Sequence, residues 1–193
     1  MTTPSASQGE APLHGVRVLD LTRLLPGPVC TLHLADLGAD VIKIEDTGAG
    51  DYARALGANP GATSAFFRMV NRNKRSVALD LKDARGRDAF LALARRADVV
   101  VESFRPGVVA SLGVDYEAVR AVRPSVVYAS ITGYGQTGPR AKAAGHDINY
   151  LGYAGVLDQT GTRGGPPALS NLQIADLLGG ALTAAVAILA AVV

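Results

Sequence analysis

The chain has 193 residues, 48% of them hydrophobic, and its 19 basic and 17 acidic residues leave a net charge of +2. This length and apolar content predict a globular domain with a sizeable core, and so small a net charge argues against a nucleic-acid-binding surface. A single cysteine excludes an internal disulfide framework and suits a reducing cytoplasm, and no Cys/His cluster indicates a metal site.

Both ends of the chain have an unusual composition. Residues 1–14 are rich in Ser, Thr, Pro and Gly, so we expect a disordered leader and not a signal peptide. Leu177–Val193 is apolar enough to raise the question of a membrane helix. Its Gly, Ala and Thr content, and a length short of the ~20 residues that a span needs, favour a buried core helix and no membrane partner.

The first third of the chain predicts a β-α-β unit. Val16–Leu21 is a β-branched, apolar run typical of a strand, and a turn rich in Pro and Gly follows it. A helix with Pro28 in its first turn should end at Gly38, before a second strand at Asp40–Glu45. Such a unit implies a parallel strand pair with a right-handed crossover.

The same alternation continues after a long loop at 46–63. We predict further strands at 76–81, 98–102 and 125–131, separated by helices at 84–96, near 107–112 and at 116–122. Five strands alternating with helices indicate an α/β fold with a Rossmann-like, doubly wound parallel sheet. Ligands bind such sheets at the carboxyl ends of the strands, and the loop 132–145 should lie there.

The basic run Asn71–Arg75 has two interpretations. It is either a solvated turn or a contact for phosphate groups. The residues alone favour neither.

Two side chains further along are candidates for chemistry. His146 follows a glycine at the point where the loop 132–145 gives way to a helix, which is a good place to meet a ligand. Asp176 is the one acid in a long apolar helix, where an isolated carboxylate is costly unless a partner or a cleft receives it. Together they could act as a general acid and base. The plainer alternative is a capping histidine and a structural acceptor.

Gly133–Gly138 matches the dinucleotide pattern G-x-G-x-x-G. Pro139 and Arg140 follow it where a helix should begin, and no later strand ends in an acid at the expected distance. A nicotinamide or flavin cofactor is therefore not favoured.

Several phrases of the chain resemble the family III CoA-transferases, which include formyl-CoA, carnitine-CoA and bile-acid CoA transferases and α-methylacyl-CoA racemase. The resemblance runs from about Gly15 to the last residue. The phrases that carry it are Leu19–Arg23, Leu34–Glu45, Lys74–Lys82, Phe104–Gly107 and Gly133–Pro139.

The resemblance implies that CoA enters as part of the substrate, with no tightly bound cofactor. It also implies contacts with CoA after the third, fourth and fifth strands. The implied residues are Ala78, Leu79, Asp80, Leu81, Phe104, Arg105, Gly145, Asp147, Asn149 and Tyr150.

Two chemistries are known in that family. In the racemase branch, residues matching His146 and Asp176 move the α-proton of an acyl-CoA; in the transferases, the acid matching Asp176 forms a mixed anhydride with the acyl group. Gly145–Tyr150 is similar to the racemase branch, whereas Asp46 stands where that branch has an arginine. We predict α-proton transfer, with CoA transfer through Asp176 as the alternative.

Members of the family are longer and carry a second, smaller domain. The resemblance therefore makes residues 15–193 an incomplete CoA-binding large domain, truncated before the small domain. The full-length protein should be a cytoplasmic homodimer of interlocked chains. An alternative of another class is a CoA-binding remnant without catalysis.

Overall fold

The computed structural model describes residues 11–57 and 63–193. These residues form an α/β fold around a five-stranded parallel sheet of order β3-β2-β1-β4-β5. The predicted doubly wound sheet is confirmed. Its strands are β1 Arg17–Asp20, β2 Asp40–Glu45, β3 Arg75–Ala78, β4 Val99–Glu102 and β5 Val127–Ser130.

Helices connect the strands, and local capping explains where several begin. Pro26 and Pro28 lie in the first turn of α1, where a backbone donor is not required. The Asp83 carboxylate accepts from the Arg85 N–H at 2.8 Å at the start of α3. The helices are α1 Pro26–Asp36, α2 Ala65–Val70, α3 Ala84–Ala94, α4 Val108–Ser111, α5 Tyr116–Val122, α6 Asp147–Tyr153 and α7 Thr183–Val192, with 3-10 turns at Tyr52–Ala55 and Leu157–Gln159 and a π-helical segment at Ala175–Leu182.

The strand order reverses at β1, which pairs with β2 on one side and with β4 on the other. Connections leave this point in opposite directions, so a crevice opens beyond the carboxyl ends of β1 and β4. The three valines Val99–Val101 of β4 are fully buried because helices cover both faces of the sheet. The carboxyl edge of the sheet at this point is thus made by the residues that follow Asp20, Glu102 and Ser130.

One apolar cluster lies on each face of the sheet. The first packs α1, the π-helical segment and α7 against the strands, with Cys30 and Leu34 buried at its centre. The second packs α3 and α5 against the opposite face through Phe90 and Val119. Together they provide the core that the composition predicts.

The helical stretch Ala175–Val192 is long and apolar enough, by length and composition, to cross a membrane. Its inward side is buried in the first apolar cluster through Ala181, Ala185 and Ile188, but only 17% of the stretch is buried, so the prediction of a buried core helix is met on one side alone. Its opposite side is apolar but exposed. The expected absence of a membrane partner stays a prediction. The exposed residues include Leu178, Leu182 and Val186.

Two buried ion pairs support the turn between β1 and α1. The Lys74 ammonium lies 3.0 Å from Asp20 Oδ2, and both side chains are at most 1% exposed. Lys43 Nζ lies 3.0 Å from Asp51 Oδ2 and donates to the Thr22 carbonyl at 2.7 Å. Burial alone would raise the pKa of Asp20, but the charges of Lys74 and Lys43 contribute to lowering it to about 2.

The basic cluster Asn71–Arg75 has a structural role, and its contact with phosphate groups stays a prediction. Lys74 belongs to the buried pair with Asp20. Arg75 donates to both carboxylate oxygens of Asp40, at 2.6 and 2.7 Å, and Arg72 pairs with Asp36. Acids from β1, α1 and β2 therefore already satisfy these cations.

Residues 1–10 and 58–62 lie outside the described residues, so most of the expected leader and the middle of the loop 46–63 stay predictions. Residues 11–14 form a turn in which Leu13 is buried and donates its N–H to the Leu37 carbonyl at 2.9 Å. They pack as part of the folded domain, so the predicted boundary at residue 15 was placed too late.

Candidate active site

A cleft of about 860 Å³ opens at the carboxyl ends of β1, β4 and β5. Arg23–Pro26, after β1, and Ser103–Pro106, after β4, form one side of it. Residues of the loop after β5, the start of α6 and the π-helical segment form the other. The cleft lies where the strand order predicts a ligand, and its size suits a cofactor-sized molecule.

Asp176 lies in the first turn of the π-helical segment and lines the cleft. Its backbone N–H donates to Asp147 Oδ1 at 2.9 Å, so the start of α6 fixes the start of this segment. Burial raises the pKa of the Asp176 carboxyl; the charge of Asp147 raises that pKa further, and His146 acts against the rise. A more basic carboxylate is both a better proton acceptor and a better nucleophile.

His146 lines the same cleft from the residue before α6. Its backbone N–H donates to Asn149 Oδ1 at 2.9 Å, which closes the first turn of that helix. The imidazole belongs to an exposed residue. The structure therefore brings the two predicted catalytic side chains, His146 and Asp176, to one cleft.

Tyr150 fixes both ends of the loop 132–145. Its hydroxyl donates to the Gly145 carbonyl at 2.7 Å, and its ring packs edge-on against Tyr134 at a centroid distance of 5.2 Å. A Cβ at Gly133 would lie 2.3 Å from the Tyr150 ring, and one at Gly145 would lie 2.8 Å from it. The first glycine of the G-x-G-x-x-G match is thus required for packing against Tyr150.

Two arginines give the cleft its positive charge. Arg105 is exposed and takes part in none of the ion pairs found between the described residues. Arg23 Nη2 lies 3.4 Å from Asp46 Oδ2, and its guanidinium carbon lies 5.3 Å from the centre of the Phe104 ring. The cleft therefore offers cationic groups to an anionic ligand.

A smaller depression of about 80 Å³ lies at the carboxyl ends of β2 and β3. Leu79–Leu81 line it together with Phe104, whose ring also lines the cleft. Ala78 is the last residue of β3, directly before this group. The predicted CoA contacts thus form two neighbouring groups with Phe104 between them.

The sequence profile of CoA-transferase family III matches residues 13–193. The chain belongs to this family. A human (Homo sapiens) succinyl-CoA:glutarate CoA-transferase is 44% identical over 170 residues, which are 88% of this chain and 39% of the relative. An acetyl-CoA:oxalate CoA-transferase from Acetobacter aceti is 44% identical over 180 residues, 93% of this chain and 46% of the relative.

Solved structures agree with the family assignment. A CAIB/BAIF family protein from Brucella suis shares 39% identity at a TM-score of 0.88, over 95% of this chain and 49% of that one. A protein from Mycobacterium tuberculosis shares 38% identity at a TM-score of 0.82, over 93% and 49%. The chain spans less than half the length of each relative named here.

Four of the ten residues that the family III resemblance implied as contacts of CoA line the cleft. Asp147 and Asn149 do not line it, because the Asp147 carboxylate and the Asn149 amide accept hydrogen bonds at the starts of the π-helical segment and α6. Contact with CoA stays a prediction for the whole set. Those that line the cleft with His146 and Asp176 are Phe104, Arg105, Gly145 and Tyr150.

The sequence reasoning missed the turn after β1. Arg23 and Leu24 both line the cleft, and Leu24 has a φ of 63°, a left-handed conformation that is uncommon for a residue other than glycine and that clusters at functional sites. The rule that ligands bind after strand ends applies to β1 as it does to β4, so it could have selected Arg23.

Proposed function

We propose that the complete protein transfers CoA from an acyl-CoA to a carboxylic acid, with Asp176 as the nucleophile. The observation that carries the proposal is the partly buried Asp176 carboxyl, whose pKa is raised, in the cleft at the carboxyl ends of the strands. The two curated relatives named above are CoA-transferases. They favour transfer over the α-proton chemistry that the sequence analysis preferred.

The reaction consists of acyl transfers at the Asp176 carboxylate. One carboxylate oxygen attacks the thioester carbonyl and forms a C–O bond. The C–S bond breaks, so CoA leaves as a thiolate and a mixed anhydride of Asp176 and the acyl group remains. The thiolate then attacks the Asp176 carbonyl of the anhydride, which releases the first acid and leaves a thioester between Asp176 and CoA. The second acid displaces the thiolate from this thioester and forms a second mixed anhydride with Asp176. The thiolate finally attacks the new acyl carbonyl of that anhydride and takes up the new acyl group. This restores the carboxylate.

The rest of the cleft suits such a ligand. Arg23 and Arg105 provide positive charge for phosphate or carboxylate groups. Gly179 follows Asp176 by about one helical turn, lines the cleft and has nothing within 4 Å of the position of an added Cβ, so a thioester can approach the main chain there without meeting a side chain. Phe104 and Leu79–Leu81 extend the proposed CoA surface into the neighbouring depression.

Proton transfer at the α-carbon is the second candidate, and the shared cleft of His146 and Asp176 supports it. One experiment separates the two chemistries in the complete protein. Incubation with an α-methylacyl-CoA in heavy water should give an acyl adduct on Asp176 that hydroxylamine traps and that survives His146→Ala. Deuterium at the α-carbon that requires both residues, without an adduct, would replace transfer by racemase-type exchange.

The third reading, a CoA-binding remnant, predicts CoA binding with neither an adduct nor exchange. We further propose that the complete protein is a cytoplasmic homodimer without a resident cofactor. Analytical ultracentrifugation of the natural, complete protein tests the assembly, and a sedimenting monomer at micromolar concentration would contradict it.

A further inference from the structure

The same two strands, β1 and β2, carry an arginine–aspartate pair at each end. Arg17 and Asp40 are register partners at the amino ends. Arg23 and Asp46 follow the carboxyl ends, with the same separation of 23 residues along the chain. The two pairs therefore make a natural comparison.

The pair at the amino ends has a short contact, and both oxygens of its carboxylate accept hydrogen bonds. Arg17 Nε lies 2.8 Å from Asp40 Oδ2, and Arg75 donates to both oxygens of the same carboxylate. Asp40 is thus held by two guanidinium groups. Neither Arg17 nor Asp40 lines the cleft.

The pair at the carboxyl ends is loose. A single contact of 3.4 Å joins Arg23 Nη2 to Asp46 Oδ2. Asp46 Oδ1 is engaged elsewhere, since it accepts from the Gly48 N–H at 2.9 Å within the loop. Arg23 lines the cleft and lies beside the Phe104 ring. Its remaining donors can thus face a ligand.

We propose that Arg23 is an oxyanion-binding residue of the cleft and that Asp46 is its resident competitor. Asp46 Oδ2 holds the Arg23 guanidinium until an incoming phosphate or carboxylate takes its place. The inference rests on the proposed function, because an acyl-CoA or an acid substrate supplies the oxyanion.

The exchange is physically reasonable. A partly exposed ion pair with one long contact contributes little, whereas a phosphate or carboxylate can meet the planar guanidinium fork with two short hydrogen bonds. The Arg23 guanidinium lies over the Phe104 ring, whose π face stabilises the cation. Asp46 keeps its bond to the Gly48 N–H after Arg23 leaves, so the loop does not depend on the pair.

Equilibrium binding of CoA to the complete protein tests the inference by calorimetry. Asp46→Asn keeps an oxygen for Gly48 but removes the competing charge, so affinity should rise by roughly fivefold. Arg23→Gln should lower affinity by about tenfold and weaken its salt dependence. Arg17→Gln and Asp40→Asn break the matched pair at the opposite end and should leave CoA affinity unchanged.

Two further measurements identify the chemical group that supplies the oxyanion. Pantetheine lacks the phosphates of CoA, so a phosphate contact predicts that Arg23→Gln weakens CoA but not pantetheine. If Arg23 binds a carboxylate instead, Arg23→Gln should leave CoA affinity unchanged and raise the KM for the acid substrate. Asp46→Asn should lower that KM. Either pattern supports the inference and identifies the group that Arg23 binds.

The inference is overturned if CoA binds and all four variants match the wild type in both CoA affinity and acid KM. No binding of CoA by the wild type is a separate result, because it removes the proposed function. Inorganic pyrophosphate then decides the inference as the probe. Tighter binding by Asp46→Asn and weaker binding by Arg23→Gln retain it, and equal binding discards it.

Discussion

The charged side chains that line the cleft at the carboxyl edge of the sheet are less completely paired than those at its amino edge, while the buried pairs Lys74–Asp20 and Lys43–Asp51 support the carboxyl edge from below. At the amino edge, Asp40 is held by Arg17 and Arg75, and Asp98 accepts from Arg123 at 2.9 Å and from the Arg17 N–H at 2.9 Å. The carboxyl edge has a long Arg23 contact, an Arg105 outside the ion pairs of the described residues, and an Asp176 whose pKa is raised.

The difference teaches where this fold keeps its chemistry. Fully paired charges have low-energy partners already and little reason to exchange them. Incompletely paired charges in a cleft retain electrostatic free energy that a ligand can use. The cleft-lining charges at the carboxyl edge are therefore available to a ligand, whereas the paired charges at the amino edge are structural, although both sets use the same residue types.

The largest expected effect tests this difference directly with isosteric changes. Asp176→Asn should lower kcat/KM for CoA transfer by at least about 10³-fold, because an amide cannot form the anhydride. Asp98→Asn, at the amino edge, should keep kcat. The measurement is initial rate with each variant of the complete protein, after circular dichroism shows a native fold. Equal losses in kcat for the two variants would contradict the comparison.

The next effect concerns the buried support of the carboxyl edge. Lys74→Met leaves the Asp20 carboxylate buried without its cation, which should lower the free energy of unfolding by about 3–5 kcal/mol. Arg75→Met removes an exposed partner of Asp40 and should cost about 1 kcal/mol or less. Urea denaturation of both variants measures the difference. Similar losses would show that burial of the Lys74 pair has no special weight.

The same buried pair predicts a pH dependence of stability. The folded-state pKa of Asp20 is about 2, below its ordinary value of 3.8. As pH falls, the Asp20 carboxylate is therefore protonated in the unfolded chain before it is protonated in the folded protein. The stabilisation is complete above the pKa of the unfolded chain, and it is lost as pH falls through the pKa of the folded protein. The loss is roughly 2 kcal/mol. The free energy of unfolding, measured by urea denaturation at a series of pH values, should fall by this amount less in Asp20→Asn than in the wild type as pH is lowered. An equal fall in both proteins would exclude the effect.

The smallest effect concerns packing at the carboxyl edge. Gly133→Ala places a Cβ 2.3 Å from the Tyr150 ring, and the shift that follows should cost about 1–2 kcal/mol. Gly152→Ala is the matched control, because nothing lies within 4 Å of its added Cβ, and an alanine inside α6 should stabilise by about 0.5–1 kcal/mol. Thermal unfolding separates the two. A neutral Gly133→Ala would remove the packing argument.

Strands and their order of appearance could be predicted because β-branched runs such as Val99–Val101 identify buried strands by themselves. Asp176 could be selected because a single acid in an apolar helix is locally conspicuous. Pairing partners could not be predicted: Lys74 and Asp20 are 54 positions apart, and Arg75 and Asp40 are 35 apart. Only the folded sheet brings such residues together, which is why the sequence alone could not choose between the two interpretations of the basic cluster. Arg23 was missed for a different reason, because the rule that ligands bind after strand ends was not applied to β1.

The hold of Tyr150 on the two ends of the loop 132–145 has a consequence for protein engineering. Because the ring abuts Gly133 and its hydroxyl binds the Gly145 carbonyl, the ends of the loop are fixed while its tip, Gly135–Arg140, is exposed. Surface loops tolerate insertions at a small entropic cost that grows slowly with length. Insertions into this tip should therefore leave His146 and Asp176 in their places at the cleft.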